Sequence, residues 1–175
     1  MKKILLVGCI GFPLLLVVVT AIAIMTMSGE YDVQESVTVD ATPDKIYPMV
    51  ASLNRWPEWT VWTKEKYPDI ETTYSGAEIG VGSRSEWTDT SGNGWMEVTK
   101  ADPQTGIEYT MQFGNFPEAK GAVTFVPGEG GTTVTMSLKG EVTFPWKVMR
   151  PVMESGMSQE FGENMQKLKA AVEGQ

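Results

Sequence analysis

The sequence predicts an α+β domain, a curved antiparallel sheet wrapped around a long C-terminal helix, preceded by one N-terminal transmembrane helix. Three observations predict it. Segments between Tyr31 and Val142 alternate apolar and polar side chains, the period of half-buried strands. From Val148 to Val172 the apolar residues recur by threes and fours, the period of a helix with one buried stripe. Ile4 through Met27 carries no charged side chain.

That uncharged run comes first. Its 24 residues would span roughly 36 Å as a helix, against a hydrocarbon core of ~30 Å. Fourteen of them are Leu, Ile, Val or Phe, which supply about −4 to −8 kcal/mol toward insertion. Pro13 falls in its first half, where a membrane helix tolerates it if neighbours or waters satisfy the freed carbonyl. Met1-Lys2-Lys3 is a short basic start, as a secretory signal peptide would also have, and Ala21-Ile22-Ala23 offers a small-x-small exit. Two readings therefore stand: an uncleaved anchor over residues 4–27, favoured by the length of the run, and a cleaved signal. Leu6-Val7-Gly8-Cys9 looks like a lipoprotein box, but most of the apolar run follows Cys9, so lipidation is not expected there.

After Met27 no basic residue occurs before Lys45, while Glu30, Asp32, Glu35 and Asp40 come early. The positive-inside rule then places residues 1–3 in the cytoplasm and the body, residues 30–175, outside the cytoplasmic membrane. Under the signal reading the same body is secreted or periplasmic.

Removing Lys2 and Lys3 from the 14 basic residues leaves 12 against 22 acidic, a net charge of −10 for the exported part. Such a surface repels nucleic-acid backbones, and nucleic-acid binding is discarded. The single cysteine lies in the apolar run, so the exported part folds without disulfides. The chain has no histidine. Ser-His-Asp and Cys-His catalysis are excluded, and neither a metal site nor a cofactor is expected.

The elements follow in order. Tyr31, Val33, Val37 and Val39 share one face of a strand whose other face is Asp32, Gln34, Ser36 and Thr38. Thr42-Pro43-Asp44 is a helix start with Thr42 as cap, and the short helix buries Ile46, Val50 and Leu53. Asn54 to Tyr67, with Trp56, Trp59 and Trp62, reads as helical turns and loop. Six strands are expected next, over residues 71–75, 83–89, 95–101, 107–113, 121–126 and 132–142, separated by Gly, Pro, Asn and Asp clusters. They read as a meander. Gly80-Val81-Gly82 lacks the lysine and helix of a phosphate loop and is taken as a turn. The closing helix begins near Pro145, with Pro151 and Gly156 as candidate kinks. A bent sheet around such a helix encloses space.

Several local patterns then resemble the START and birch-pollen-allergen superfamily with its helix-grip fold, in the bacterial SRPBCC branch of polyketide cyclase/dehydrase-like proteins. Val37 through Tyr47 resembles the opening strand, Ala-x-Pro corner and first helix; Asn54-Arg55-Trp56-Pro57-Glu58-Trp59 resembles the aromatic loop. Gly80-Val81-Gly82-Ser83 with Trp87, and Gly92-Asn93-Gly94, resemble the paired glycine turns. Gly131-Thr132-Thr133-Val134-Thr135 resembles the last strand, and Phe161 through Lys169 the closing helix. The resemblance covers about residues 30–175. It implies a cavity for hydrophobic small molecules or lipids and does not single out one reaction.

In that fold the inward residues would be Trp87, Tyr109, Met111, Phe113, Phe125, Met136, Met153, Met157 and Phe161, which are the candidate cavity lining. The competing reading is that they are all core. Trp56, Trp59 and Trp62 have three readings: loop packing, a lid over the cavity, or an interfacial belt at the bilayer. Met149, Met153, Met157 and Met165 share one helix stripe. Arg84 and Glu86 are expected to face solvent or each other. The expected function is a membrane-tethered module binding a hydrophobic small molecule or lipid. The alternatives are a cyclase/dehydratase-like enzyme, for which Glu35 and Tyr109 are the available acid–base groups, and a ligand-free protein-interaction module.

Overall fold

The computed structural model describes residues 19, 21, 22 and 24–174. Its elements are β1 (Glu30–Val39), α1 (Pro43–Val50), a 3-10 turn (Leu53–Glu58), β2 (Glu71–Gly76), β3 (Ser83–Asp89), β4 (Gly92–Asp102), β5 (Gly106–Phe113), β6 (Ala119–Gly128), β7 (Gly131–Glu141), a second 3-10 turn (Trp146–Met149) and α2 (Arg150–Glu173). Every strand expected from the alternation forms. The strands make one antiparallel seven-stranded sheet in the order β1-β7-β6-β5-β4-β3-β2. β2 to β7 are the meander, and β1 closes against β7 with Val33 opposite Leu138 and Val37 opposite Val134. A bulge between Val98 and Lys100 shifts the β4–β5 register and adds bend.

Thr42 occupies the cap position of α1 in an extended conformation, without a side-chain cap bond. Pro43 fills the first turn, where a missing amide hydrogen costs no intrahelical bond. Gly80 and Gly82 have φ of 78° and 83°, so this Gly-x-Gly is a turn; Gly80 N–H donates to the Ala51 carbonyl at 2.8 Å and ties the turn to the end of α1. Arg84 pairs with Glu86 at 2.8 Å and Glu97 at 3.0 Å, and its guanidinium lies over the Trp95 ring.

The closing helix differs from expectation in two ways. It starts at Arg150, so Pro151 lies in its first turn and does not kink it, and Gly156 stands in open space within an unbroken helix. The apolar stripe is also not uniformly buried. Phe161, Met165, Leu168 and Val172 are in the core, Met153 and Met157 are half-buried, and Met149 and Val152 are exposed. The core side chains of the helix run from Phe161 onward; before that it is tied to β1 by Arg150 and Ser158. Its first half overhangs the strands and leaves space beneath.

The Trp56–Trp62 segment is packed. Trp59 is fully buried, with its indole N–H donating to the Met49 carbonyl at 3.1 Å, and Trp56 donates to the Val50 carbonyl at 2.8 Å. Neither is free to form a lid or a membrane belt. Most of Ile4–Met27 lies outside the described residues. Among the described residues no helix is long and apolar enough to cross a membrane.

Candidate functional site

The space beneath the first half of α2 is a partly open cavity of about 450 Å³, within the size range of small-molecule sites. Thr72, Tyr74, Ser85, Trp87, Met96, Met111, Phe113 and Leu138 line it from the sheet; Met153, Met157, Glu160 and Phe161 line it from α2. Leu53, Trp56, Trp62, Tyr67 and Ile70 close one end.

A cross-strand pattern keeps the sheet side roomy. Three inner-face aromatics each pair with a glycine on the neighbouring strand: Tyr31 with Gly140, Trp87 with Gly94, and Tyr109 with Gly121. A Cβ at those glycines would lie 2.4 Å from the Tyr31 hydroxyl, 2.3 Å from the Trp87 ring and 2.1 Å from the Tyr109 ring. Each ring therefore occupies the place of its partner's missing side chain. Above Tyr31 and Trp87 the cavity is open; above Tyr109 the Trp56 ring fills the space.

Of the nine residues expected along the cavity, Trp87, Met111, Phe113, Met153, Met157 and Phe161 are on its wall. Tyr109, Phe125 and Met136 are not. They are 2%, 4% and 0% exposed and belong to the closed core. Trp56 packs edge-on against Tyr109 with ring centres 5.7 Å apart and seals it from the cavity. Strand alternation marks an inward side chain but not whether a helix presses on it there. Glu35 is on the inner face, half-buried, and accepts a hydrogen bond from the Ser158 hydroxyl on α2. It is a strand-to-helix tie outside the wall, so neither expected acid–base group lies in the cavity.

One charged group on the wall, Glu160, went unmarked in the sequence. Glu160 accepts from the Trp62 indole N–H at 2.9 Å and from the Tyr67 hydroxyl, with the Lys66 ammonium 3.1 Å away. One turn later the buried Asn164 accepts from the Val61 amide at 2.7 Å. These bonds fix the Thr60–Tyr67 loop to α2. Glu160 lay in plain view between Met157 and Phe161, three residues after one and immediately before the other. Only the loop's approach gives it partners. Among the described residues no group of three or more His, Cys, Asp or Glu is placed to hold a metal ion.

Burial, then the hydrogen bond to Glu160 and its negative charge, push the Tyr67 phenol well above its ordinary value; burial does the same for Tyr109. The folded protein thus keeps protons that the unfolded chain releases near pH 10. The stability these phenols contribute is complete below about pH 10 and is lost as pH rises toward their folded values. Denaturant midpoints measured through the alkaline range should fall, and fall less in Tyr67→Phe. The same decline in both proteins would mean that Tyr67 ionises as readily folded as unfolded.

The sequence profile described as polyketide cyclase/dehydrase and lipid transport matches residues 30–173. The chain belongs to that family. No curated protein matches it. Among solved structures it is similar to protein CV1439 from Chromobacterium violaceum (TM-score 0.59, 14% identity, covering 81% of this chain and 96% of that one). It is also similar to TTHA0849 from Thermus thermophilus (0.59, 17%, 82% and 98%). A third is SA2116 from Staphylococcus aureus, a protein of unknown function (0.64, 13%, 84% and 96%). At these identities the likeness establishes the helix-grip fold of this polyketide cyclase/dehydrase and lipid transport family member and nothing finer.

Proposed function

We propose that this member of the family holds an apolar small molecule or lipid in the cavity, outside the cytoplasmic membrane and tethered by residues 4–27. The observation that carries the reading is the partly open, mostly apolar cavity of about 450 Å³, which the helix overhangs without filling. Apolar surface moved from water into it gains ~25 cal/mol per Å². The few polar wall groups would orient the guest.

The tether is supported by the β7–α2 connection. Phe144, Trp146, Val148 and Met149 are exposed there, and so is Val152 in the first turn of α2. Lys147 Nζ donates to the Met27 carbonyl at 3.0 Å, and Arg150 Nη1 to the Glu30 carbonyl at 3.1 Å. The apolar strip therefore stands beside the end of the uncharged run, where a bilayer would meet it. A tether also raises the local concentration of the domain near its lipid source.

The test is to purify the full chain from membranes and identify bound molecules by mass spectrometry, with thermal midpoints measured with and without added lipid. A stoichiometric apolar guest and a raised midpoint are expected. A protein that comes away empty and whose midpoint ignores apolar compounds sinks the reading and leaves an interaction module. Protease digestion of intact cells should cut the domain; protection would place it in the cytoplasm.

A further inference from the structure

We infer that the cavity takes amphiphiles whose polar end is uncharged or cationic and donates hydrogen bonds, a hydroxyl or an amine, and excludes carboxylate, sulfate and phosphate heads. This rests on the binding reading above and names its ligand class.

The charge of the wall is one-sided. Asp89, Glu141 and Glu160 line the cavity, and no lysine or arginine among the described residues does. Lys66, the cation beside Glu160, is shared between Glu160 at 3.1 Å and Glu163 at 3.4 Å, so carboxylates outnumber it locally. The field is felt at Tyr67, whose phenol is pushed up by burial, by its bond to Glu160 and by the charges of Glu160, Asp89 and Glu163. A group that disfavours its own anion there meets the same field as an anionic head arriving from solvent.

A second observation points to a hydrogen-bonding guest at the same end. Thr60 lines the cavity, is 1% exposed, and its hydroxyl has no partner among the described residues. A buried hydroxyl left unpaired is costly, and a ligand head is one way to pair it. Thr60 adjoins Val61 and Trp62, whose N–H groups are bonded to Asn164 and Glu160, so hydroxyl and carboxylate belong to one end of the cavity. The walls there are the Trp56 and Trp62 rings, stacked with centres 5.8 Å apart. Aromatic faces attract cations and are indifferent to neutral heads.

The experiment uses the full chain in nanodiscs of zwitterionic lipid. A diazirine-bearing dodecanol is photocrosslinked, and its peptides are mapped by mass spectrometry. Dodecanol, dodecylamine and dodecyl sulfate then compete at equal mole fraction in the bilayer, which cancels their partitioning. Crosslinks are expected on the Trp56–Tyr67 and Met157–Phe161 peptides. Alcohol and amine should each protect at least about tenfold better than sulfate, a difference of about 1.4 kcal/mol. Glu160→Gln should narrow that gap, with Trp62 still able to donate to the amide oxygen. Equal or better protection by sulfate overturns the inference and leaves the binding reading standing. No crosslink in the cavity peptides sinks the binding reading and the inference with it.

Discussion

Replacing Ser85 with Trp should abolish the proposed binding of an apolar guest while the protein stays folded. Ser85 is an inner-face residue of β3, 5% exposed, set between Tyr74 and Met96 on the adjacent strands and lining the cavity. Its side chain is small and borders open space. An indole built there extends into open volume instead of close-packed core, so the usual overpacking cost of ~1–3 kcal/mol is largely avoided. The guest loses the same volume. Ligand recovered with the purified full chain should fall about a hundredfold, equivalent to ~2.7 kcal/mol, and the circular-dichroism spectrum and unfolding cooperativity should be unchanged. Ligand retained at the wild-type level would put the guest somewhere other than this cavity.

Gly121→Ala should be among the most damaging single methyl additions. The new Cβ would fall 2.1 Å from the Tyr109 ring, which no flexible side-chain end can yield to. Tyr109 is 2% exposed and is held by Trp56 edge-on and by Gly121 opposite. The ring must leave its rotamer or the strands must part, at a cost of about 3 kcal/mol or more. That is a large share of a domain stability of roughly 5–15 kcal/mol. A double-mutant cycle isolates the cause: in a Tyr109→Ala background the added methyl should cost under about 1 kcal/mol by chemical denaturation. If the methyl costs the same in both backgrounds, the ring–glycine contact is not what keeps Gly121 small.

Much of this architecture was legible in the residues. Two-residue alternation marked β1, β5 and β7, because a strand with one wet face must alternate, and the turn clusters between them marked the rest of the meander. The spacing from Val148 to Val172 marked the helix, because a 3.6-residue turn brings those side chains to one side, but not which part of its stripe is buried. The site was legible only by direction. Trp87, Met111 and Phe113 look the same in sequence as Tyr109, Phe125 and Met136, since all six point inward. Glu35, an acid on an inward strand face, had a better sequence claim to the cavity than Glu160, yet it is bound by Ser158 outside the wall, while Asp89, on the Trp87 face of β3, lines it. What separates the groups is where the helix sits, and no periodicity encodes that. Pro151 is the converse case. A proline within an apolar helical pattern reads as a kink until the helix is seen to begin at Arg150.

By itself, then, the sequence determined the strands, the closing helix, the absence of histidine chemistry, the acidic surface and an uncharged run of 24 residues before the domain. These follow from local periodicity and composition. Tertiary structure alone decided that β1 closes on β7, that a cavity remains beside the first turns of α2, and that Glu160, Thr60 and Tyr67 lie at one end of it. The reason is physical: an apolar side chain buries equally well against its own chain or against a guest, and only the packing of distant segments determines which of the two it faces.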